Sequence, residues 1–290
     1  MNKTETIVLI PNTSKNIEHD KLISMLHRLT SGGCRVYTLP EFAPYLSFTG
    51  DLVTVTDDRK DLSGMDAALV LGGDGSIIEA SHMLLGENIP ILGINFGHVG
   101  FLAEIEMSEM HLLDALIDGS YGIDERMMLD AAVTDAGGRV RGTFTVLNDV
   151  VLTNGPVARL IKFDVYCDDV KVETCRADGM IASTPTGSTA YSLSAGGPVL
   201  YPSLEGICLT PICPHTLNSR PIIFHGASVI RLTNFSTNNA AVYLNADGRD
   251  DIRIEEGDTV DIRRSPYRTR LIRIKKGGFL GALHTKLSEK

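Results

Sequence analysis

No stretch of this chain approaches the roughly 20 consecutive apolar residues that a membrane helix needs, so a membrane-spanning reading has nothing to rest on. Cysteine is sparse and poorly spaced for bridging. Cys34, Cys167, Cys175, Cys208 and Cys213 are odd in number and contain no CxxC pair, which argues against a disulfide framework and a structural zinc site and leaves free thiols as the expectation. Basic tracts are missing too: 27 Lys and Arg stand against 36 Asp and Glu, giving a net charge of −9 that cannot serve general nucleic-acid binding. No Gly-Lys-Ser/Thr ending closes a P-loop and no GxGxxG occurs, so neither a P-loop ATPase nor a Rossmann dehydrogenase is supported. The opening residues put Lys3 before an apolar run far shorter than a signal-peptide core, ended by Pro11-Asn12, and read as the first strand of a cytoplasmic protein.

What is present is globular. At 290 residues, 43% apolar and 22% charged, the chain can bury a sizeable core in one large or two smaller domains. Over the first part, short apolar runs (Thr6–Ile10, Cys34–Leu39, Leu52–Val55, Ala67–Leu71, Ile89–Asn95) alternate with helical patterns. One helix is expected from Ser14 to Gly32-Gly33, on the spacing of Ile17, Leu22, Met25, Leu26 and Leu29, and others over Ile77–Leu85 and Ser108–Ile117. Such alternation predicts a parallel, three-layer α/β sheet. After Tyr121 the texture becomes period two with tight turns at Gly137-Gly138 and Asp168-Asp169, as in Thr143–Leu152, Lys162–Cys167 and Val170–Thr174. The expected organisation is an N-terminal α/β domain over 1–125, a mainly β domain over 126–265, and a tail over 266–290. That tail loses the β rhythm and turns basic.

Two clusters carry the chemistry. Gly72-Gly-Asp-Gly-Ser76 follows an apolar strand and precedes a helix, where open α/β folds bind ligands and where glycines let a phosphate reach peptide N–H groups. Asp74 could take a proton from a hydroxyl or hold a metal ion bridging phosphates; equally, an Asp-Gly turn could merely cap the helix. Asp178-Gly-Met-Ile-Ala-Ser-Thr-Pro-Thr-Gly-Ser-Thr-Ala-Tyr-Ser-Leu-Ser-Ala-Gly-Gly-Pro198 crowds hydroxyls and glycines behind a lone carboxylate and reads as a ligand-wrapping loop. Together they imply one nucleotide site closed between two parts of the chain.

In order and spacing, Gly72-Gly-Asp-Gly75, Asn148-Asp149 and Asp178-Gly179 running into Thr184–Pro198 resemble the motifs of the NAD kinase family. Gly93-Ile-Asn95, Gly100-Phe-Leu102 and Thr210–Leu217 fit the same family, so the resemblance covers about residues 66 to 265. GGDG alone is shared with phosphofructokinases and lipid kinases, whereas TPTGSTAY is specific. The resemblance implies transfer of the ATP γ-phosphate to the 2′-hydroxyl of the adenosine ribose of NAD, with a divalent cation, Mg²⁺, carried on the ATP phosphates rather than in a protein-built metal site. It gives Asp74 the catalytic role, Gly75 a place against the dinucleotide, and Gly72, Gly73, Gly75 and Ser76 the ATP phosphates.

Further NAD contacts implied by motif position are Phe101, Asn148, Asp149, Arg159, Arg176, Asp178, Thr186, Thr189, Ala190, Tyr191, Ser194 and Arg249. Asn148 and Asp149 would meet ribose hydroxyls; Asp178 would accept from the nicotinamide carboxamide, with Arg176 near the pyrophosphate. Phe101 has two readings, an apolar face for the dinucleotide or core filling, and Tyr191 could pack adenine or the core. Arg159 is equally a surface arginine, and His82 and His215 read as structural. The chain departs from the family at Asp149, most often Glu, at Ser76, often Thr, and at Arg249, where the family carries Gln. Family members are homodimers or homotetramers, and the resemblance implies that the tail over 266–290 returns to pack on the N-terminal domain. Two other readings stand beside a kinase of NAD: a GGDG-type lipid kinase, against which TPTGSTAY and the lack of a basic amphipathic helix speak, and a non-catalytic NAD(P) sensor, which would have no use for Asp74.

Overall fold

The computed structural model describes residues 3–15, 17–56, 59–96, 100–155, 160–215, 218–236 and 241–288. It divides into two compact units, one of residues 1–125 with 269–290 and the other of residues 126–268.

The first unit is α/β. Strand β1 (Thr6–Pro11) leads through α1 (His19–Ser31) to β2 (Arg35–Thr38) and, after short 3-10 turns, to β3 (Thr54–Val55). Then come β4 (Ala67–Leu71), α2 (Asp74–Met83), β5 (Ile91–Asn95), the short β6 (Ile105–Glu106) and α3 (Leu113–Ile117). The strands lie in the order β5-β4-β1-β2-β3, all parallel. β4 and β5 are buried at every position, which is why they read as unbroken apolar runs. α1 packs Leu22, Met25, Leu26 and Leu29, the one-face spacing of an amphipathic helix, onto a core with Ile7, Leu9, Leu69 and Leu92. It begins at His19, not at Ser14. The reason is local: the Asn12 side chain accepts both the N–H (3.0 Å) and the hydroxyl (2.6 Å) of Ser14, a turn that competes with helix. Likewise Ser108–Ile117 is a 3-10 turn over Met107–Leu112 followed by α3.

The second unit is a β-sandwich. Its strands are β7 (Gly122–Thr134), β8 (Val140–Val146), β9 (Asp149–Asn154), β10 (Ile161–Cys167), β11 (Val170–Ala177) and β12 (Gly179–Ser183), then the short α4 (Tyr191–Ser194). β13 (Gly206–Ile212), β14 (Ile222–His225), β15 (Ile230–Asn234), β16 (Val242–Ala246), β17 (Asp250–Ile254) and β18 (Thr259–Arg273) complete it, β7 and β18 each starting in one unit and ending in the other. One sheet runs β11-β10-β15-β18 with β7 and β8 alongside, and the other runs β14-β13-β12-β9-β16-β17. Their facing side chains, among them Leu129, Leu152, Phe163, Met180, Leu209 and Leu244, form one core. Two expectations change here. Thr143–Leu152 breaks at Leu147-Asn148 into β8 and β9, and Gly179–Ser183, expected as loop, is a fully buried strand between β9 and β13.

The tail also differs from its expectation: β18 runs on to Arg273, and the helix α5 (Gly278–Ser288) follows. Within the first unit Leu271 pairs in parallel with Ile91, and Ile272 joins the core. Among the described residues no helix is long and apolar enough to cross a membrane, and the five cysteines are unpaired.

Candidate functional site

In the first unit, β4 delivers the chain to Gly72-Gly73, and α2 starts at Asp74. A Cβ on Gly72 would stand 2.2 Å from Ser76 Oγ, so only glycine lets Ser76 close this turn. Asp74 does not serve as the helix cap; Gly73 holds that position. The Asp74 carboxylate is gripped instead by another segment. Oδ2 accepts the N–H of Phe101 at 2.7 Å, and Oδ1 accepts those of Leu102 at 3.0 Å and Ala103 at 3.4 Å. Gly100 makes that approach possible, because a Cβ there would fall 1.8 Å from Oδ1. A carboxylate offers about four lone-pair sites, two on each oxygen. Counting the described residues alone, Oδ1 is filled and Oδ2 accepts one N–H, with one acceptor position left over. Beside it, apart from its chain neighbours and the backbone of its own helix, no described atom lies within 4 Å of where a Cβ on Gly75 would stand, so the backbone there is open to an approaching group.

The Phe101 ring, given two readings above, lies against α5: its centroid is 5.8 Å from that of Phe279, and Lys286 Nζ stands 5.3 Å over it. His82 is half-buried on the last turn of α2.

In the second unit, the break between β8 and β9 is built by a residue that sequence reasoning noticed only as the start of the Asp247-Gly248-Arg249 element and gave no role. Asp247 accepts the N–H groups of Leu147 (2.7 Å), Asn148 (2.8 Å) and Asp149 (2.9 Å), and its own N–H donates to the Asp149 carbonyl at 3.0 Å. It does so from the left-handed region, with φ 51° followed by Gly248 at 74°, a turn between β16 and β17. The signal was the Asp-Gly pair itself, a turn dipeptide whose first residue tolerates positive φ. Asp149 is 6% exposed, and its carboxyl is pushed up to about 7, first by burial and then by the neighbouring Asp247 charge. Arg249 stands exposed on the same turn.

The Thr184–Pro198 segment docks on this break. Thr184 Oγ1 donates to the Leu147 carbonyl at 2.6 Å, the Thr184 N–H donates to the Asn148 carbonyl at 2.8 Å, and Gly187 lies so close that a Cβ would sit 2.1 Å from that carbonyl oxygen. Many of its hydroxyls serve the fold of the segment itself. Ser188 Oγ donates to the Pro185 carbonyl, Thr189 Oγ1 to the Thr186 carbonyl, and Ser192 bonds Thr210 at 2.9 Å. Thr186 is buried and accepts from the interior Arg126 at 3.2 Å. Thr189 and Ala190 are half-buried, while Tyr191, 45% exposed, and Ser194 face outwards. Asp178 is half-buried between β11 and β12, two residues from the exposed Arg176, whose carbonyl accepts the N–H of the exposed His215. Arg159 lies outside the described residues, as do Thr216 and Leu217.

Among the described residues no group of three or more His, Cys, Asp or Glu is arranged to hold a metal ion. Mg²⁺ is commonly held by one or two carboxylates together with substrate phosphates.

Comparison with known proteins finds matches across both units. Residues 8–121 match the family model described as the ATP-NAD kinase N-terminal domain, and residues 147–274 match the ATP-NAD kinase C-terminal domain. An NAD kinase of Moorella thermoacetica is 38% identical over 98% of this chain and 90% of its own, and one of Geobacter sulfurreducens is 43% identical over 77% and 78%. Two solved structures share the fold at 23% identity. They are yeast NADH kinase complexed with NADH (TM-score 0.88, covering 100% of this chain and 89% of that one) and an NAD kinase from Archaeoglobus fulgidus in complex with ATP (0.73, covering 97% and 98%). The chain therefore belongs to the NAD kinase family, and its activity is phosphoryl transfer from ATP to the 2′-hydroxyl of the adenosine ribose of NAD.

Proposed function

We propose that Asp74 is the residue that orients the acceptor hydroxyl for this transfer. The observation that carries the reading is the cradle of three backbone N–H groups, which fixes the carboxylate and, among the described residues, leaves one acceptor position on Oδ2. Phosphoryl transfer needs alignment and charge neutralisation more than covalent work by the protein. The ribose 2′-hydroxyl donates its hydrogen bond to Oδ2, its oxygen forms the new bond to the γ-phosphorus, the bond from that phosphorus to the β-phosphate bridging oxygen breaks, and ADP leaves. The hydroxyl proton passes to Asp74 and from there to water.

Gly75 gives the dinucleotide room. Asn148, with the backbone fixed by Asp247, and the outward-facing Tyr191 and Ser194 contact NAD, with Asp178 and Arg176 at its nicotinamide and pyrophosphate ends. Asp149 acts in this set as a buried neighbour. Gly72, Gly73 and Ser76 meet the donor phosphates; a Mg²⁺ ion carried on those phosphates would supply charge neutralisation there. The bound ATP of the archaeal relative and the bound NADH of the yeast relative support the choice of both substrates. A homodimer or homotetramer belongs to the same reading, supported by Tyr201, Leu204, Ile223 and Tyr267, apolar residues of the second unit exposed by 46% to 51%.

The test is incubation of the purified protein with NAD, ATP and Mg²⁺, with Asp74→Asn in parallel. NADP made by the wild type and lost in the variant is the expected result. Full NADP formation by the variant removes Asp74 from this role.

A further inference from the structure

The two faces of the parallel sheet in the first unit are covered differently. Residues paired across neighbouring strands share a face, and successive residues alternate between faces. Ile7, Leu9, Val36, Leu69 and Leu92 lie on the face that meets α1 in the core. The opposite face carries Val8, Ala68 and Val70, but towards the outer strands it turns to hydroxyls, with Thr6, Tyr37 and Thr54. A parallel sheet is ordinarily buried on both sides by helices. Here the connection from β3 to β4 lays a four-residue 3-10 turn, Arg59–Leu62, over those hydroxyls in place of a full helix. A cleft of about 360 Å³ remains between sheet and connection, within the roughly 300–1,000 Å³ of small-molecule sites.

Thr56 is the informative group in this lining. The residue is 5% exposed, and its Oγ1 is buried without a hydrogen-bond partner among the described residues. Its backbone is fixed, the N–H donating to the Thr38 carbonyl at 2.9 Å. A buried hydroxyl left unpaired costs stability, which a ligand reaching it would recover. The wall beside it is rigid: Thr6 Oγ1 donates to Asp66 Oδ2 at 2.9 Å and accepts the Asp66 N–H at 3.1 Å. Half-buried Tyr37 and Met65 add a flat ring and a thioether, surfaces suited to an aromatic ligand. Asp61 and Ser63 bring a carboxylate and a hydroxyl to the rim, and none of the lining groups is a lysine, arginine or histidine. Such a lining offers acceptors to N–H donors and no counter-charge to an anion.

We propose that this cleft is a second binding site, separate from that of the kinase substrates, for a small planar aromatic amide or amidine. The ring lies against Tyr37 and Met65, the Thr56 hydroxyl and the Asp61 carboxylate take the nitrogen-bearing group, and anions are turned away. No residue of the lining belongs to the sets assigned above to NAD or to the donor phosphates. The site therefore stands or falls independently of the kinase reading.

The experiment titrates the full chain, with and without NAD, against benzamidine, benzamide and benzoate, which share one ring and differ in charge. Affinity is read by calorimetry, and thermal melting is recorded on the ligand-free proteins. Benzamidine and benzamide should bind, NAD present or not, and benzoate at least about tenfold more weakly. Thr56→Val, nearly the same shape without the hydroxyl, should weaken both amide and amidine about tenfold. Its melting temperature without ligand should rise, because the unpaired hydroxyl is gone; a change that merely damaged the fold would lower it. Ser63 is exposed, so Ser63→Trp fills the cleft at little risk to folding and should abolish binding of both probes. Failure of both probes to bind, or benzoate binding as tightly as they do, overturns the site. Loss of binding when NAD is added places the probes in the substrate site and overturns it too. So does a Thr56→Val protein with wild-type affinities or a lowered melting temperature, or a Ser63→Trp protein that still binds.

Discussion

Two aspartates of this chain have the same local architecture: Asp74 and Asp247 are each held by three consecutive backbone N–H groups of a distant segment. That makes Asp74→Asn a sharper perturbation than its shape suggests. The amide retains one accepting oxygen and turns an NH₂ towards donors, so a donor faces a donor while the acceptor position for the substrate is lost. We expect kcat to fall by about 10²–10⁴ in NADP-formation assays, the range of a lost proton acceptor. Asp149 gives a pH-dependent prediction. Its carboxyl titrates at about 7 when folded, against about 3.9 in an unfolded chain, so between those values the folded state holds the extra proton. Stability contributed by this group is therefore present below about pH 4, falls as pH rises towards about 7, and stays low above it. Asp149→Asn removes the ionisation. It should be more stable than wild type near about pH 8, by up to about 4 kcal/mol, with the difference gone near about pH 4; urea unfolding at both pH values checks this, and a difference that grows on acidification would contradict it.

Among the elements, the Thr184–Pro198 segment shows what could and could not be read from residue types. Its density of hydroxyls and glycines marked a folded loop, but not that Thr184, Ser188 and Ser192 are buried and used by the fold itself. Gly187 is the tightest point. Since Ala there would drive a Cβ into a backbone carbonyl that cannot swing aside, Gly187→Ala should cost about 1–3 kcal/mol of stability. It should also raise KM for NAD more than it lowers kcat, as read from steady-state kinetics alongside thermal melting. The parallel strands and α1 were legible because apolar runs and a one-face helical spacing announce them. β12 and β13 were not, because strands buried almost throughout do not alternate, and Gly179–Ser183 resembles loop by composition.

For the molecule as a whole, the return of the chain end within the first unit connects remote residues to the candidate catalytic aspartate. Arg273 Nη1 donates to Glu104 at 3.0 Å and to the Leu102 carbonyl at 3.1 Å, and the Leu102 N–H is one of the three on Asp74. The Glu104 carboxylate is buried and also accepts the N–H groups of Ile274 and Lys275. Arg273→Ala leaves that buried charge to two N–H donors. The cost should be near about 3 kcal/mol, at the lower end for breaking a buried pair, as measured by denaturant unfolding. A drop in kcat with KM for NAD held would separate loss of Asp74 positioning from instability alone; unchanged kcat would confine Arg273 to the fold.

The sequence by itself determined the α/β-then-β order of the chain, the glycine turns and the kinship with NAD kinases, because each rests on residue types at short spacing. Only the tertiary structure decided which carboxylates are held and by what. Asp74 is gripped across 27 residues, Asp247 across 100 and Glu104 across 170, by backbone N–H groups that every residue but proline carries. A donor common to nearly every position leaves no mark in the sequence, so these cradles exist only once the chain has folded.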